Sequence, residues 1–276
     1  MRAAMPQGSY LGPLSFVVFI KDMPHAETIK SVKYVDDTTL SERVNSSSPS
    51  QLQDTTDNII DWSNLNKMKI NEKKTKEMFI SFKRPPVPPN PIVINGQNIG
   101  RVNVFKLLGV WVQDNLSWDH HVSHMLSRSA TRLYYLRQLK RAGLGPDELL
   151  GYYKAVVRSV VEYASQVWNS GLTQGHIDDL ERVQTRALRV IFPGADYDLA
   201  LQVAELQTLK DRRNHLDSVK FARLKHPDHR LHSLLPQKCS YSQNVRAKLE
   251  YPLPKWNNKR FRKDCIVNML YKQQGF

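Results

Sequence analysis

Cysteine is scarce in this chain of 276 residues: there are two, Cys239 and Cys265. They lie far apart, make no Cys-x-x-Cys pair and have no histidine at metal-ligand spacing, which excludes a disulfide framework and a structural zinc site of the usual spacing. Both read as reduced thiols, with no disulfide partner, in an intracellular protein of nucleus or cytoplasm. Long apolar runs are missing as well. None approaches the roughly 20 residues that span a bilayer, so no membrane partner is expected. The opening stretch MRAAMPQGSYLGPLSFVVFI carries one arginine, and its prolines and glycines interrupt the apolar run that a signal peptide needs. A fixed-period repeat is absent, which excludes a solenoid. Acidic residues are few beside the basic ones, 26 against 40 Lys and Arg, and the formal charge is +14. Such a surplus makes a polyanion the expected partner. With 41% hydrophobic residues the chain can build real cores and is no disordered tail.

The periodicity changes once along the chain. Leu11 to Ile20 reads as a short buried helix after a Gly/Pro entry. A second helix is expected with Ser48 as cap, Pro49 at its first position and Gln51 reaching back, and with Leu52, Ile59 and Ile60 on an apolar face that runs to about Leu65. KEMFISF, IVINGQNI and FKLLGVWV read as strands, the second folded about Asn95-Gly96, the strongest two-residue hairpin signal. KRPPVPPNP is a rigid connection between strands, with a proline-rich ligand segment as the alternative. After Trp118 the apolar residues fall at helical spacing. Val122, Met125, Leu126, Leu133 and Leu136 form one run, ended by Gly143. Leu149, Leu150, Tyr153, Val157, Val160 and Ala164 form a second from Pro146, and Ile177, Leu180, Gln184, Ala187, Leu188 and Ile191 a third. At least one more lies between Leu199 and Leu224. The expected fold class is α+β, with a mixed segment over 1–116, a helical region over 117–235 and a basic tail over 236–276.

Within the mixed segment, VKYVDDTTL places Asp36 and Asp37 side by side between β-branched and aromatic residues, the pattern of a hairpin with a polar tip. Adjacent aspartates are common in turns, each solvated and bonded to its own backbone. They also repel each other unless a cation lies between them, which is how nucleotidyl transferases hold magnesium. The pair alone does not choose between these readings.

Its surroundings do. MPQGSYLGPLSF precedes the pair, and WSNLNKMKINEKKTKEMFISF and FKLLGVWVQDNLSWDHHV follow it. In this order the stretches resemble the palm of a reverse transcriptase from a LINE-like non-LTR retrotransposon. Pro6-Gln7-Gly8-Ser9 with Leu11-Gly12-Pro13 resembles that family's motif B, Tyr34-Val35-Asp36-Asp37 its motif C, Lys74-Thr75-Lys76 its motif D, and Phe105 to Val110 the primer-grip motif E. LERVQTRALRVIF, HRLHSLLP and YPLPKWNNKRFRKD resemble the region beyond the polymerase in such elements. The resemblance implies a partial palm over 1–116 and a helical thumb-like domain after it. It also implies RNA-directed DNA polymerase chemistry on an RNA template, a DNA primer and deoxynucleoside triphosphates, with Mg2+ or Mn2+.

The roles it implies agree with the chemistry. Two metal ions about 4 Å apart activate the primer hydroxyl and neutralise the triphosphate. Asp36 stands as a direct metal ligand and Asp37 as a nearby catalytic carboxylate. Gln7 and Gly8 face template and nucleotide, Gly8 allowing close backbone approach. Lys74 stands by the leaving pyrophosphate, or else is one solvated lysine of NEKKTKE. Leu108 and Gly109 belong to the primer grip. The family takes another metal-binding aspartate from a strand before motif B, and only Met1 to Met5 precede Pro6 here. The expectation is therefore a truncated enzyme, inactive as this chain alone. The rival reading is a non-catalytic RNA- or DNA-binding protein derived from such an element.

Binding has its own candidates. Arg128, Arg132, Arg137, Lys140 and Arg141 recur along the first helix after the palm, as a duplex-tracking face or an ordinary solvated one. Lys255, Lys259, Arg260, Arg262 and Lys263 alternate with Trp256 and Phe261, an arrangement suited to stacking bases and holding phosphates. The same two aromatics would alternatively anchor the tail to the helical core. His120 and His121 beside Asp119 are set aside as a metal site, because adjacent helical residues point different ways.

Overall fold

The computed structural model describes residues 11–44, 49–83, 87–239, 249–256 and 258–273. It is helix-rich with small two-stranded sheets, an α+β chain, and it divides into two compact units, Met1–Phe105 and Lys106–Phe276.

In the first unit, α1 (Leu11–Phe19) is not the buried helix expected: Leu14, Val17 and Val18 are exposed, and Phe19 meets Trp62 with ring centres 6.0 Å apart. The strands β1 (Ile29–Tyr34) and β2 (Asp37–Glu42) pair antiparallel from Ile29↔Glu42 to Tyr34↔Asp37. Lys30, Val32 and Tyr34 alternate onto the open face of the pair.

Then comes α2 (Leu52–Leu65), which starts later than expected, with Gln51 at the N-cap and no side-chain cap. Pro49 precedes it, and Ser48 lies outside the described residues. The reason is Glu42, which accepts from Ser50 Oγ at 2.6 Å and from the Gln51 N–H at 2.9 Å and so ties this stretch to the end of β2. The buried side of α2 is Thr55, Thr56 and Ser63, and Leu52, Ile59 and Ile60 are only half-buried. Thr56 and Ser63 satisfy their hydroxyls on the Leu52 and Ile60 carbonyls, the local bonding that lets such residues pack inward.

KEMFISF forms only the two-residue strand β3 (Lys76–Glu77). Around Asn95-Gly96, β4 (Val93–Ile94) and β5 (Gln97–Asn98) make the expected hairpin, with φ of 51° and 76° at the two turn residues. The next strand, β6 (Gly100–Arg101), pairs parallel with β3. Gln53 of α2 brackets Val93, accepting from its N–H at 2.8 Å and donating to its carbonyl at 2.9 Å.

FKLLGVWV, expected as one strand, is two: β7 (Val104–Leu107) and β8 (Val110–Gln113). Leu108 and Gly109 between them have φ of 46° and 87°, the doubly positive pattern of a I′ turn.

The second unit is helical. In α3 (Asp119–Arg141), Val122, Met125, Leu133 and Leu136 are buried along one stripe. Proline opens α4 (Pro146–Tyr152), which runs through a π-turn at Tyr153–Val157 into α5 (Arg158–Glu162). That helix stops short of Ala164, whose φ is 51°. The Tyr163 carbonyl is instead taken by Trp168 Nε1 at 3.0 Å, at the end of α6 (Ser165–Trp168). A capping box of Thr173 and His176 opens α7 (Gln174–Ile191), with Leu180, Gln184, Ala187, Leu188 and Ile191 buried as expected. Asp196 and Thr208 cap α8 (Tyr197–Val203) and α9 (Leu209–Leu224).

Leu136, Leu149, Tyr153, Trp168, Leu180 and Leu188 meet in the main core. The C-terminal segment folds back, with α10 (Lys259–Arg262) followed by α11 (Cys265–Gln273). Tyr251, Met269 and Leu270 pack there on Phe221, Leu224 and Leu235. Cys239 and Cys265 are free thiols, and no helix among the described residues is long and apolar enough to cross a membrane.

Candidate carboxylate turn and nucleic-acid interface

The β1–β2 register makes Tyr34↔Asp37 the last pair, so the turn itself is Val35-Asp36 and Asp37 opens β2. Both aspartates are exposed. Val35 sits at φ 54°, where a β-branched side chain is strained and where a hairpin turn ordinarily carries glycine. We expect Val35→Gly to raise the urea midpoint of the first unit by the equivalent of about 1 kcal/mol. A lower midpoint would mean that Val35 side-chain contacts outweigh the strain.

Behind this turn, Lys33 is committed elsewhere. Its Nζ donates to the Ile20 carbonyl at 2.8 Å, and burial lowers its pKa against the opposing pull of Asp22. Lys74 is exposed in a separate turn, its N–H bonded to Asn71 Oδ1 at 3.1 Å. No described bond or ion pair joins Lys74 to either aspartate. Gln7 and Gly8 lie outside the described residues. No group of three or more His, Cys, Asp or Glu is assembled to hold a metal among the described residues. Asp36 and Asp37 by themselves do not make the oxygen-rich shell that a pair of magnesium or manganese ions needs.

The Leu108-Gly109 turn is built more firmly. Tyr163 Oη donates to the Leu108 carbonyl at 2.8 Å, and a methyl group on Gly109 would lie 2.9 Å from Tyr163 Cε1. Glycine is thus required there twice over, for φ and for the approach of the ring.

The five cations of α3 differ in what they are free to do. Arg128, Arg137 and Arg141 are exposed and Lys140 is half-buried. Arg132 is spent: its Nη1 donates to the Val156 carbonyl at 2.6 Å, and Tyr152 Oη donates to the Arg132 carbonyl at 3.4 Å. Its pKa is lowered, by burial first and by Arg128 second. Two aromatics that periodicity did not single out, Tyr134 and Tyr135, are exposed on the same helix with ring centres 5.5 Å apart.

In the C-terminal segment Trp256 and Phe261 are 42% and 48% exposed, so the anchors of that segment are Tyr251, Met269 and Leu270 instead. Lys255, Lys259, Arg260 and Lys263 are exposed, whereas Arg262 lies 4.0 Å over the Tyr271 ring and donates to Asn268 Oδ1 at 3.0 Å.

A cluster at the start of α3 gave no usable signal in the sequence beyond its paired histidines. His121 is buried between Trp118 and Trp168, with ring centres 6.1 and 5.6 Å away, and its Nδ1 accepts from the Trp111 N–H at 3.3 Å. Burial, with smaller repulsion from His124 and His120, pushes its pKa down to about 4. His120 and His124 instead flank Trp111 at 4.7 and 5.6 Å. Adjacent histidines do point apart, and Asp119 turns to His176 Nε2 at 2.9 Å and Ser117 Oγ at 2.7 Å.

Residues 2–112 match the family described as reverse transcriptase (RNA-dependent DNA polymerase). Among curated proteins, the probable RNA-directed DNA polymerase from transposon X-element of Drosophila melanogaster is 26% identical over 200 residues, which cover 69% of this chain and 22% of that protein. The RNA-directed DNA polymerase from mobile element jockey of the same organism is 25% identical over 203 residues, with the same coverage of each chain. The probable RNA-directed DNA polymerase from transposon BS, also of D. melanogaster, is 26% identical over 203 residues. The chain thus spans about a fifth of the length of these relatives. No solved structure matches it.

Proposed function

We propose that this chain is the part of a retrotransposon RNA-directed DNA polymerase that carries the catalytic aspartate hairpin, the primer grip and the helical support for the primer, and that it binds nucleic acid without extending it. Residues 1–116 are read as part of a palm, 117–235 as a thumb-like helical region and 236–276 as a basic terminal segment. The observation that carries the reading is the reverse-transcriptase match over residues 2–112, which contains the exposed Asp36 and Asp37 turn. In the complete polymerase these two carboxylates would hold magnesium or manganese, which activates the primer hydroxyl and neutralises the triphosphate. In the chain alone they project into water with no third ligand grouped beside them among the described residues.

The binding half of the reading rests on the exposed cations Arg128, Arg137, Arg141, Lys255, Lys259 and Lys263. RNA template, DNA primer and nucleotide are the partners that the family implies, and the charge of +14 favours the first two over any neutral ligand. Primer extension on an RNA template with purified chain, in magnesium or manganese and beside Asp36→Ala, tests the proposal. The expected result is no product from either protein, with primer–template binding that weakens steeply as salt rises. Extension that disappears in the variant would overturn the inactivity and make Asp36 a working ligand. Absence of any salt-sensitive binding would overturn the binding role.

A further inference from the structure

His120, His124 and Arg128 follow one another at intervals of four along one side of α3, spanning about 12 Å at 1.5 Å per residue. His120 and Arg128 are exposed, and His124 is half-buried. Opposite them β8 presents Trp111, whose ring meets both histidines. Lys106 of β7 lies 5.9 Å over the same ring. Three basic groups are thus gathered around one indole, and Arg128 acts on the His124 ring from the next turn of the helix. The charges that act on His124 are Lys106, Arg128 and His120, all basic, and together with burial they lower its pKa. The carboxylate of that first turn, Asp119, is engaged by Ser117 and His176. Within the cluster His124 Nε2 is buried with no hydrogen-bond partner. Cations held together without a counter-charge raise one another's energy unless an anion completes them.

We infer that Lys106, His120, His124 and Arg128 form a phosphate site, which grips the backbone of a nucleic-acid strand at the base of the Leu108-Gly109 hairpin and tightens as His124 takes up a proton. The inference rests on the proposed nucleic-acid role and adds to it a place and a pH dependence. A phosphate supplies the missing negative charge and stabilises the protonated His124 imidazole. The aromatic ring holds the donors in place, so little side-chain entropy is lost on binding.

The test is anisotropy of a labelled single-stranded oligonucleotide with the full chain, at low salt, between about pH 8 and pH 6, with circular dichroism followed in parallel. The affinity is expected to rise about threefold over that range as His124 gains charge. His124→Gln should keep the affinity at the alkaline end and lose the rise. Arg128→Ala should weaken binding about threefold at both ends. NMR titration of the histidine rings in the unaltered chain is independent of how the variants fold: the oligonucleotide should raise the His124 midpoint. Binding with no pH dependence, or a rise that survives in His124→Gln, overturns this site while leaving the nucleic-acid role intact. A midpoint raised by inorganic phosphate but not by the oligonucleotide assigns the site to a free anion and also overturns it. No binding at any pH overturns the nucleic-acid role itself.

Discussion

Trp168→Ala lowers the stability of the helical unit by about 4 kcal/mol, the upper part of the range for removing a buried large aromatic. Trp168 is fully buried in the main core, with the edge of the His121 ring on one side and the Arg213 guanidinium 5.9 Å from its centre on another. Truncation leaves a cavity that α3, α7 and α9 close only in part. It also removes the indole N–H that donates to the Tyr163 carbonyl at 3.0 Å. Tyr163 in turn donates to the Leu108 carbonyl at 2.8 Å, so the loss reaches the Leu108-Gly109 turn. Urea unfolding followed by far-ultraviolet circular dichroism measures the first effect. Line-broadening of the Leu108 and Gly109 amides measures the second. A loss of less than about 1.5 kcal/mol, the size of a volume-conserving change, would mean that the neighbours collapse onto the site.

Acidification weakens the same region through His121. In the folded chain its pKa is pushed down to about 4, from an ordinary value near 6.5. The unfolded chain therefore binds a proton first as the pH falls. The stability that His121 contributes is complete above about pH 6.5 and is lost progressively between about pH 6.5 and pH 4, by up to about 3 kcal/mol. Asp119, its pKa lowered chiefly by the Ser117 hydroxyl, loses its contribution only at more acid pH, below the ordinary carboxylate range. Asp217, its pKa raised by burial, works the other way and gains as protons are added. The measurement is the urea midpoint across this window, beside His121→Phe. That variant keeps an aromatic between Trp118 and Trp168 but has no proton to gain, and it should flatten the profile. It also leaves the Trp111 N–H without its acceptor, at about 1 kcal/mol at neutral pH. A profile just as steep in the variant would place the acid lability in another group.

Local chemistry was legible along the chain wherever a few adjacent residues decide the backbone. Asn95-Gly96 makes its hairpin, Pro146 opens its helix, and the α7 stripe from Leu180 to Ile191 is buried. The aspartate pair lies at a hairpin end as VKYVDDTTL implies, though the turn begins one residue earlier, at Val35. The misreadings arose where a distant group intervened. Glu42 delays α2, Trp168 takes the carbonyl on which the α4–α5 helix would have continued, and Tyr163 secures a turn inside what reads as an unbroken strand.

By itself, the sequence determined the surplus of positive charge, the aspartate hairpin, the order of helices after Trp118 and the resemblance to a LINE-like reverse transcriptase. These are properties of composition, period and short motifs, which survive without knowledge of any contact. The tertiary structure decided which cations remain available: Arg132 is consumed by the Val156 carbonyl and Arg262 by Tyr271, while Lys106 and two histidines gather around Trp111 and Arg128 acts on His124. The reason is physical. A side chain's charge is written in its residue type, but whether that charge meets a carbonyl, a carboxylate or water depends on segments tens of residues away.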